Sequence, residues 1–126
     1  MKVLNIVETA YRATVEEQDD TILWLSHNLK KAGAEVSVLL RANAVNYAVE
    51  GQNASGLSFG AKKQTNPVDI VRDIKDMVAA GIPVLLVAED ASQRGLPDDR
   101  LIHGVEKIPA GDLPQLFDRF DHVWHW

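Results

Sequence analysis

Between Ala80 and Leu96 the chain reads AGIPVLLVAEDASQRGL: a glycine stop, an unbroken apolar run, a small-and-acidic turn, then Arg94-Gly95-Leu96. The run Val84 to Ala88 shows no polar alternation and is rich in branched side chains. That pattern belongs to a strand buried on both faces of a parallel sheet. In such sheets ligands collect just beyond the carboxyl ends of the strands. Glu89, Asp90 and the turn after them therefore hold the natural site position.

The rest of the chain alternates strand and helix signals around this run. Lys2 to Val7 reads as the first strand, ending in Glu8-Thr9-Ala10-Tyr11-Arg12. A helix is expected from about Val15 or Glu16 to Lys31. Its opening turns carry Glu16, Glu17, Asp19 and Asp20 and its last turn Lys30 and Lys31, the bias that the helix dipole favours. Ile22, Leu25, Leu29 and Ala32 recur at helical spacing as its inward face, and Gly33 caps it. Glu35 to Leu40 is the second strand, exiting at Arg41-Ala42-Asn43, and a short helix is expected over Ala44 to Val49. The segment from Gly51 to Asn66 is a long irregular loop in which Leu57 and Phe59 are apolar enough to fold back on a pocket or a neighbouring subunit. The next helix is expected with Asn66 as N-cap and Pro67 at its first position. Ile70 or Val71, Ile74, Met77 and Val78 form its inward stripe, Gly81 ends it, and Pro83 opens the third strand. Pro97-Asp98-Asp99 makes a turn and Val105 to Ile108 a fourth strand. Asp112 to Phe120 supplies a helix with Leu113, Leu116, Phe117 and Phe120 inward, and His122 to Trp126 a fifth strand. This order predicts one α/β domain over 1–126, three-layer α/β/α, with a mostly parallel five-stranded sheet.

Bulk properties exclude several classes. A chain of 126 residues with 46% apolar and 25% charged residues sits near the globular average. No apolar run approaches the roughly 18 residues needed to cross a bilayer, and charge comes too early for a signal peptide, so a cytoplasmic protein is expected. The net charge of −5 with scattered Lys and Arg argues against nucleic acid and against anionic membranes. There is no cysteine, which rules out disulfides, thiolate metal sites and covalent sulfur on a thiol.

Several phrases, taken in order, resemble the DsrE/DsrF-like sulfur-relay family. They are KVLNIV at the start, Lys31-Ala32-Gly33-Ala34-Glu35-Val36, and Ala42-Asn43-Ala44-Val45. Gly81-Ile82-Pro83-Val84, Arg94-Gly95-Leu96 and Gly104-Val105-Glu106 follow. The likeness covers nearly the whole chain. It implies a small cytoplasmic protein assembling into trimers or hexamers, whose active members carry sulfur as a persulfide on a cysteine near the end of the third strand and pass it to a partner. Counted back from Arg94-Gly95-Leu96, that cysteine's place falls at Val87 or within a residue or two of it. Valine has no nucleophile, so the sulfur-transfer activity does not carry over to this chain by itself.

Other chemistry is limited. His122 and His125, three apart on a strand, fall on opposite faces and make a poor chelate, while His27 and His103 read as surface histidines. No metal and no cofactor is expected. Glu8, Asn43, Glu89 and Asp90 sit at three strand exits with Arg12, Arg41 and Arg94 near. Together with Val87 they are the candidate ligand crevice, able to hold a small cation or a polar metabolite or to shift a carboxyl pKa. The competing reading is that strand exits are polar because their backbone is solvated, with Glu89-Asp90 capping the next turn. Trp124 and Trp126 share one strand face and, with Trp24, serve either the core or an oligomer contact. Three functions follow: a non-catalytic oligomeric binding or scaffold protein tied to sulfur metabolism, a small-metabolite enzyme using the exit carboxylates and arginine, or a structural subunit supporting a cysteine-bearing paralogue.

Overall fold

A computed structural model describes residues 1–11 and 19–126. Its strands are β1 (Lys2–Val7), β2 (Glu35–Leu40), β3 (Ser58–Phe59), β4 (Lys62–Lys63), β5 (Val84–Val87), β6 (Glu106–Ile108) and β7 (His122–His125). The helices among the described residues are α1 (Thr21–Lys31), α2 (Ile70–Ala79), α3 (Ala88–Gln93) and α4 (Leu113–Phe117). Five strands form one sheet in the order β6-β5-β2-β1-β7, and every neighbouring pair is parallel. The sheet is thus parallel throughout, and the only antiparallel ladder among the described residues is the β3–β4 hairpin, apart from a Val49–Leu101 bridge.

Sequence dictates which face each layer covers. Val38, Leu40, Val84 and Leu86 point to one side of the sheet and pack against Leu23, Ile70, Ile74 and Met77 of α1 and α2. Leu4, Ile6, Leu39, Leu85 and Val87 point to the other and meet Leu113 and Leu116 of α4. The chain moves one way across the sheet from β1 to β6, then returns to β7. Right-handed crossovers are near-universal, so reversing direction sends α4 to the opposite face. Three layers result.

Several boundaries differ from expectation. Asp20 has an extended backbone and caps α1, its Oδ1 accepting from the Ile22 and Leu23 amides. A continuous helix from Val15 or Glu16 therefore does not run through Asp20, and residues 12–18, including Glu16 and Glu17, lie outside the described residues. The buried face of α1 is Leu23 and Ser26 rather than the Leu25, Leu29 and Ala32 line. Ser26 is drawn inward because its hydroxyl accepts from Asn5 Nδ2 at 2.9 Å, both residues being fully buried. Asp69, not Asn66, caps α2 by accepting from the Arg72 amide, and Pro67 stays ahead of the helix. β5 stops at Val87, because Ala88 already belongs to α3. α4 ends at Phe117 rather than Phe120, and β6 begins at Glu106. Ala42–Ala48 winds as a 3-10 helix where a helix from Ala44 was expected. The loop expected to be irregular contains the β3–β4 hairpin, and Phe59 stands 75% exposed rather than folded onto the chain's own surface. Gly33 and Gly81, at φ +95° and +76°, do end α1 and α2 in the left-handed conformation that only glycine adopts at no cost.

Candidate functional site

Because the sheet is parallel, all five carboxyl ends open on one rim. The exit of β1 carries Glu8, that of β2 carries Arg41, Ala42 and Asn43, and that of β5 runs straight into α3 with Glu89 and Asp90 in its first turn. The expected residues that are described lie close to one another along this rim. They divide into three bonded groups.

The first group joins β5 to β2. Asp90 Oδ2 accepts from the Ala42 amide at 2.7 Å, and Arg94 donates through Nη2 to Asn43 Oδ1 at 3.0 Å and through Nη1 to the Asp90 carbonyl at 3.2 Å. Ala42 holds φ +48°, a left-handed conformation that a residue with a Cβ occupies at a cost of about 1 kcal/mol. The Asp90 carboxylate fixes that amide in place.

The second group joins β5 to β6. Their connections lead to helices on opposite faces, which is the topological condition for a ligand crevice. Here Glu89 Oε2 accepts from the Ala110 amide at 2.7 Å, tying the two exits together. Val87, at the base of this gap, is 2% exposed and packs with Ile108 and Leu113. It belongs to the core.

The third group joins β2, β1 and β7. Glu8 Oε2 lies 3.0 Å from His125 Nε2, and Glu8 Oε1 lies 3.7 Å from Arg41 Nε. That Arg41 nitrogen is buried with no hydrogen-bond partner. His125 is the residue that sequence reasoning missed. It was weighed only against His122, whereas its partner sits on the neighbouring strand, 117 positions away in the chain. The two histidines do take opposite faces, since His122 aligns with Val3 and His125 with Ile6.

Behind this rim lies a buried polar chain. The Tyr47 hydroxyl accepts from the Tyr11 amide at 2.7 Å and donates to Asp20 Oδ2 at 2.6 Å. Burial first, then the hydrogen bond and charge of Asp20, push the Tyr47 phenol far above its ordinary value, so it stays protonated. Tyr11 too is left-handed, at φ +58°, and its ring meets Tyr47 edge-on at 5.0 Å. Arg12 lies outside the described residues.

The tryptophans serve different surfaces. Trp126 is 46% exposed while its indole N–H donates to the buried Asn5 Oδ1 at 3.3 Å. Trp24 is exposed and, with His27, Asp73 and Asp76, lines a groove of about 310 Å³ between α1 and α2. Burial raises the Asp73 carboxyl above its usual range. Among the described residues no group of three or more His, Asp or Glu side chains converges as a metal site, and no helix is long and apolar enough to cross a membrane.

What the rim can do chemically follows from these bonds. Glu89 and Asp90 are committed to backbone amides of neighbouring exits, and Arg94 to Asn43. Among the described residues of the rim, only Glu8 with His125 presents a carboxylate–imidazole pair of the kind that moves a proton. No hydroxyl or thiol nucleophile is bonded to it among the described residues.

No family model matches this chain, and no curated protein matches it. Solved structures do. The ychN protein from E. coli is 22% identical with a TM-score of 0.73, covering 100% of both chains. BT1422 from Bacteroides thetaiotaomicron, a protein of unknown function, is 12% identical with a TM-score of 0.70, covering 99% of this chain and 94% of its own. MTH1491 from Methanobacterium thermoautotrophicum, also of unknown function, is 13% identical with a TM-score of 0.65, covering 98% and 96%. At these identities the likeness establishes the fold, a three-layer α/β/α sandwich shared over essentially the full length of each chain.

Proposed function

We propose that this chain is a non-catalytic, DsrE/F-like oligomeric binding or scaffold protein, associated with sulfur relay but without the persulfide-carrying residue. The observation that carries the reading is the state of the carboxyl rim. Val87, at or within a residue or two of the place the family's cysteine would take, is buried, and the acidic side chains after it hold neighbouring strand exits together. Such a rim keeps the framework rigid and offers no group that could take up sulfur.

Assembly is supported by what the edge of the sheet leaves open. Among the described residues β7 has no partner on its outer side, and Val123 and Trp126 remain exposed at that edge. Exposed aromatic residues near an unpaired strand edge are the usual material of a subunit contact. The proposed particle is a homotrimer or homohexamer acting in the cytoplasm, with a protein of the sulfur relay as partner.

The experiment has two arms. Native mass measurement at micromolar concentration gives a trimer or hexamer if the assembly reading holds, and a strict monomer contradicts it. A Val87→Cys variant, incubated with a thiol-alkylating reagent, stays unlabelled until unfolded if Val87 is core. Rapid labelling of the native variant would show an open crevice and return the rim to a reactive role.

One observation favours a second reading, a small-metabolite enzyme or ligand-binding protein using exit carboxylates and arginine. The Glu8–His125 pair, with the His125 side chain 57% exposed and Arg41 Nε unbonded, is not committed to the backbone. Mass spectrometry of the gently purified protein separates the two. A stoichiometric small molecule lost in Glu8→Gln supports the second reading.

A further inference from the structure

The opposite rim of the sheet is built differently. α4 has five residues and is about 7.5 Å long, whereas six-residue strands extend about 20 Å. Its Leu113 and Leu116 cover the rows formed by Leu4, Ile6, Leu39, Leu85 and Val87. Strand alternation puts Lys2, Glu35 and Ser37 on that same face: Ser37 shares the row of Leu4, and Lys2 with Glu35 forms the next row toward the amino ends. A groove of about 430 Å³ opens there, with Arg119, Phe120 and Lys30 at its edges and Pro83 and Val36 in its wall.

Two features of this groove point to a ligand. Lys2, Lys30 and Arg119 all line it, and among the described residues none of their side chains has an ion pair or hydrogen bond. Three cations thus line the groove with one carboxylate, Glu35, and a second, Asp121, lies beside Lys2 and accepts from its amide at 2.7 Å, in a chain whose net charge is −5. Ser37, moreover, is only 9% exposed, and its hydroxyl has no hydrogen-bond partner among the described residues. Arg41 Nε is the only fully buried side-chain nitrogen or oxygen without a partner among the described residues, so the Ser37 hydroxyl is open to the groove and free to bond a ligand there.

We infer that this groove binds a small molecule with a dianionic head of the phosphate monoester class and an apolar body. A phosphate monoester carries a charge of about −2 near neutral pH and three strong acceptor oxygens. Its charge balances the excess of cations over Glu35, and its oxygens accept from the Ser37 hydroxyl, the two ammonium groups and the guanidinium. The body lies against Phe120 and Pro83. The volume falls in the range of small-molecule pockets. This site shares no residue with the carboxyl rim and stands whether or not the scaffold reading does.

Titration of the full chain with phenyl phosphate and with inorganic phosphate, followed by backbone amide shifts at low ionic strength, tests it. Phenyl phosphate should bind saturably, more tightly than inorganic phosphate, with the largest shifts at Val36, Ser37 and Phe120. Arg119→Gln and Lys2→Gln should each weaken binding about tenfold, a charge-assisted hydrogen bond apiece. Ser37→Ala should weaken it about fivefold, the scale of one neutral hydrogen bond. Lys62→Gln, on the β3–β4 hairpin, should change nothing. Absence of saturation at millimolar phenyl phosphate overturns the inference. So do shifts spread over surface lysines generally, equal binding of uncharged phenol, or affinities untouched by all three groove variants.

Discussion

The two rims of one parallel sheet put their charged side chains to opposite uses. At the carboxyl rim Asp90, Glu89, Asn43 and Arg94 bond to one another or to backbone, and Tyr47 and Asp20 close a buried chain behind them. At the amino rim Lys2, Lys30, Arg119 and Ser37 face one groove with no side-chain partner among the described residues. The usual expectation for parallel sheets places ligands beyond the carboxyl ends. Here that position is mostly closed by its own side chains and, the buried Arg41 Nε apart, the charged groups without a partner lie where a short helix leaves the sheet uncovered. Location in a fold nominates a site, but hydrogen-bonding capacity left over after folding is what a ligand can use.

The contrast can be broken by substitution, and the largest effect belongs to the carboxyl rim. Tyr47→Phe removes a buried hydroxyl and leaves the Tyr11 amide and Asp20 Oδ2 unsatisfied, so it should cost about 3 kcal/mol in denaturant unfolding. The folded state favours the neutral phenol of Tyr47, raising its pKa above the ordinary phenol value of 10.0. Its stabilising contribution is therefore complete below pH 10 and declines as pH rises above that value. The wild-type protein should lose stability on the alkaline side, and Tyr47→Phe should show a flatter alkaline limb.

Asp90→Ala comes next. It frees the amide of left-handed Ala42 and removes a charge-assisted bond, and should cost about 2 kcal/mol without changing binding at the amino rim. Glu89→Ala, on a more exposed carboxylate, should cost about 1 kcal/mol by the same unfolding assay. Smallest are Ser37→Ala and Arg119→Gln, which should change stability by no more than about 0.5 kcal/mol. Destabilisation by the amino-rim variants as large as that of Asp90→Ala would erase the distinction between the rims.

The three central strands β1, β2 and β5 were legible because each was an apolar run bounded by charge or glycine. Lys2–Val7 and Glu35–Leu40 match their expected limits residue for residue. Short helices were less so. Six residues from Ala88 to Gln93 carry no full helical period, and two start signals competed before Ile70, where Asp69 prevailed over Asn66-Pro67. The position of the rim could be read from strand ends, and Glu8, Asn43, Glu89, Asp90 and Arg94 all fall on it. Their partners could not. Bonds from Asp90 to the Ala42 amide and from Glu89 to the Ala110 amide leave no trace in residue type, since any residue but proline offers an N–H. Ser26 reads as polar surface until Asn5 is seen opposite, and the amino-rim groove depends on how short α4 is against the strands beside it.

Hydrogen exchange at the Ala42 and Ala110 amides tests the central claim most directly, because neither belongs to a strand ladder and each has a carboxylate as its partner. If the acidic side chains clamp the strand exits, both amides exchange slowly, and each is released selectively, Ala42 by Asp90→Ala and Ala110 by Glu89→Ala. Exchange at the rate of a free peptide in the wild-type protein would mean that those carboxylates are unoccupied and the rim is open to a ligand after all.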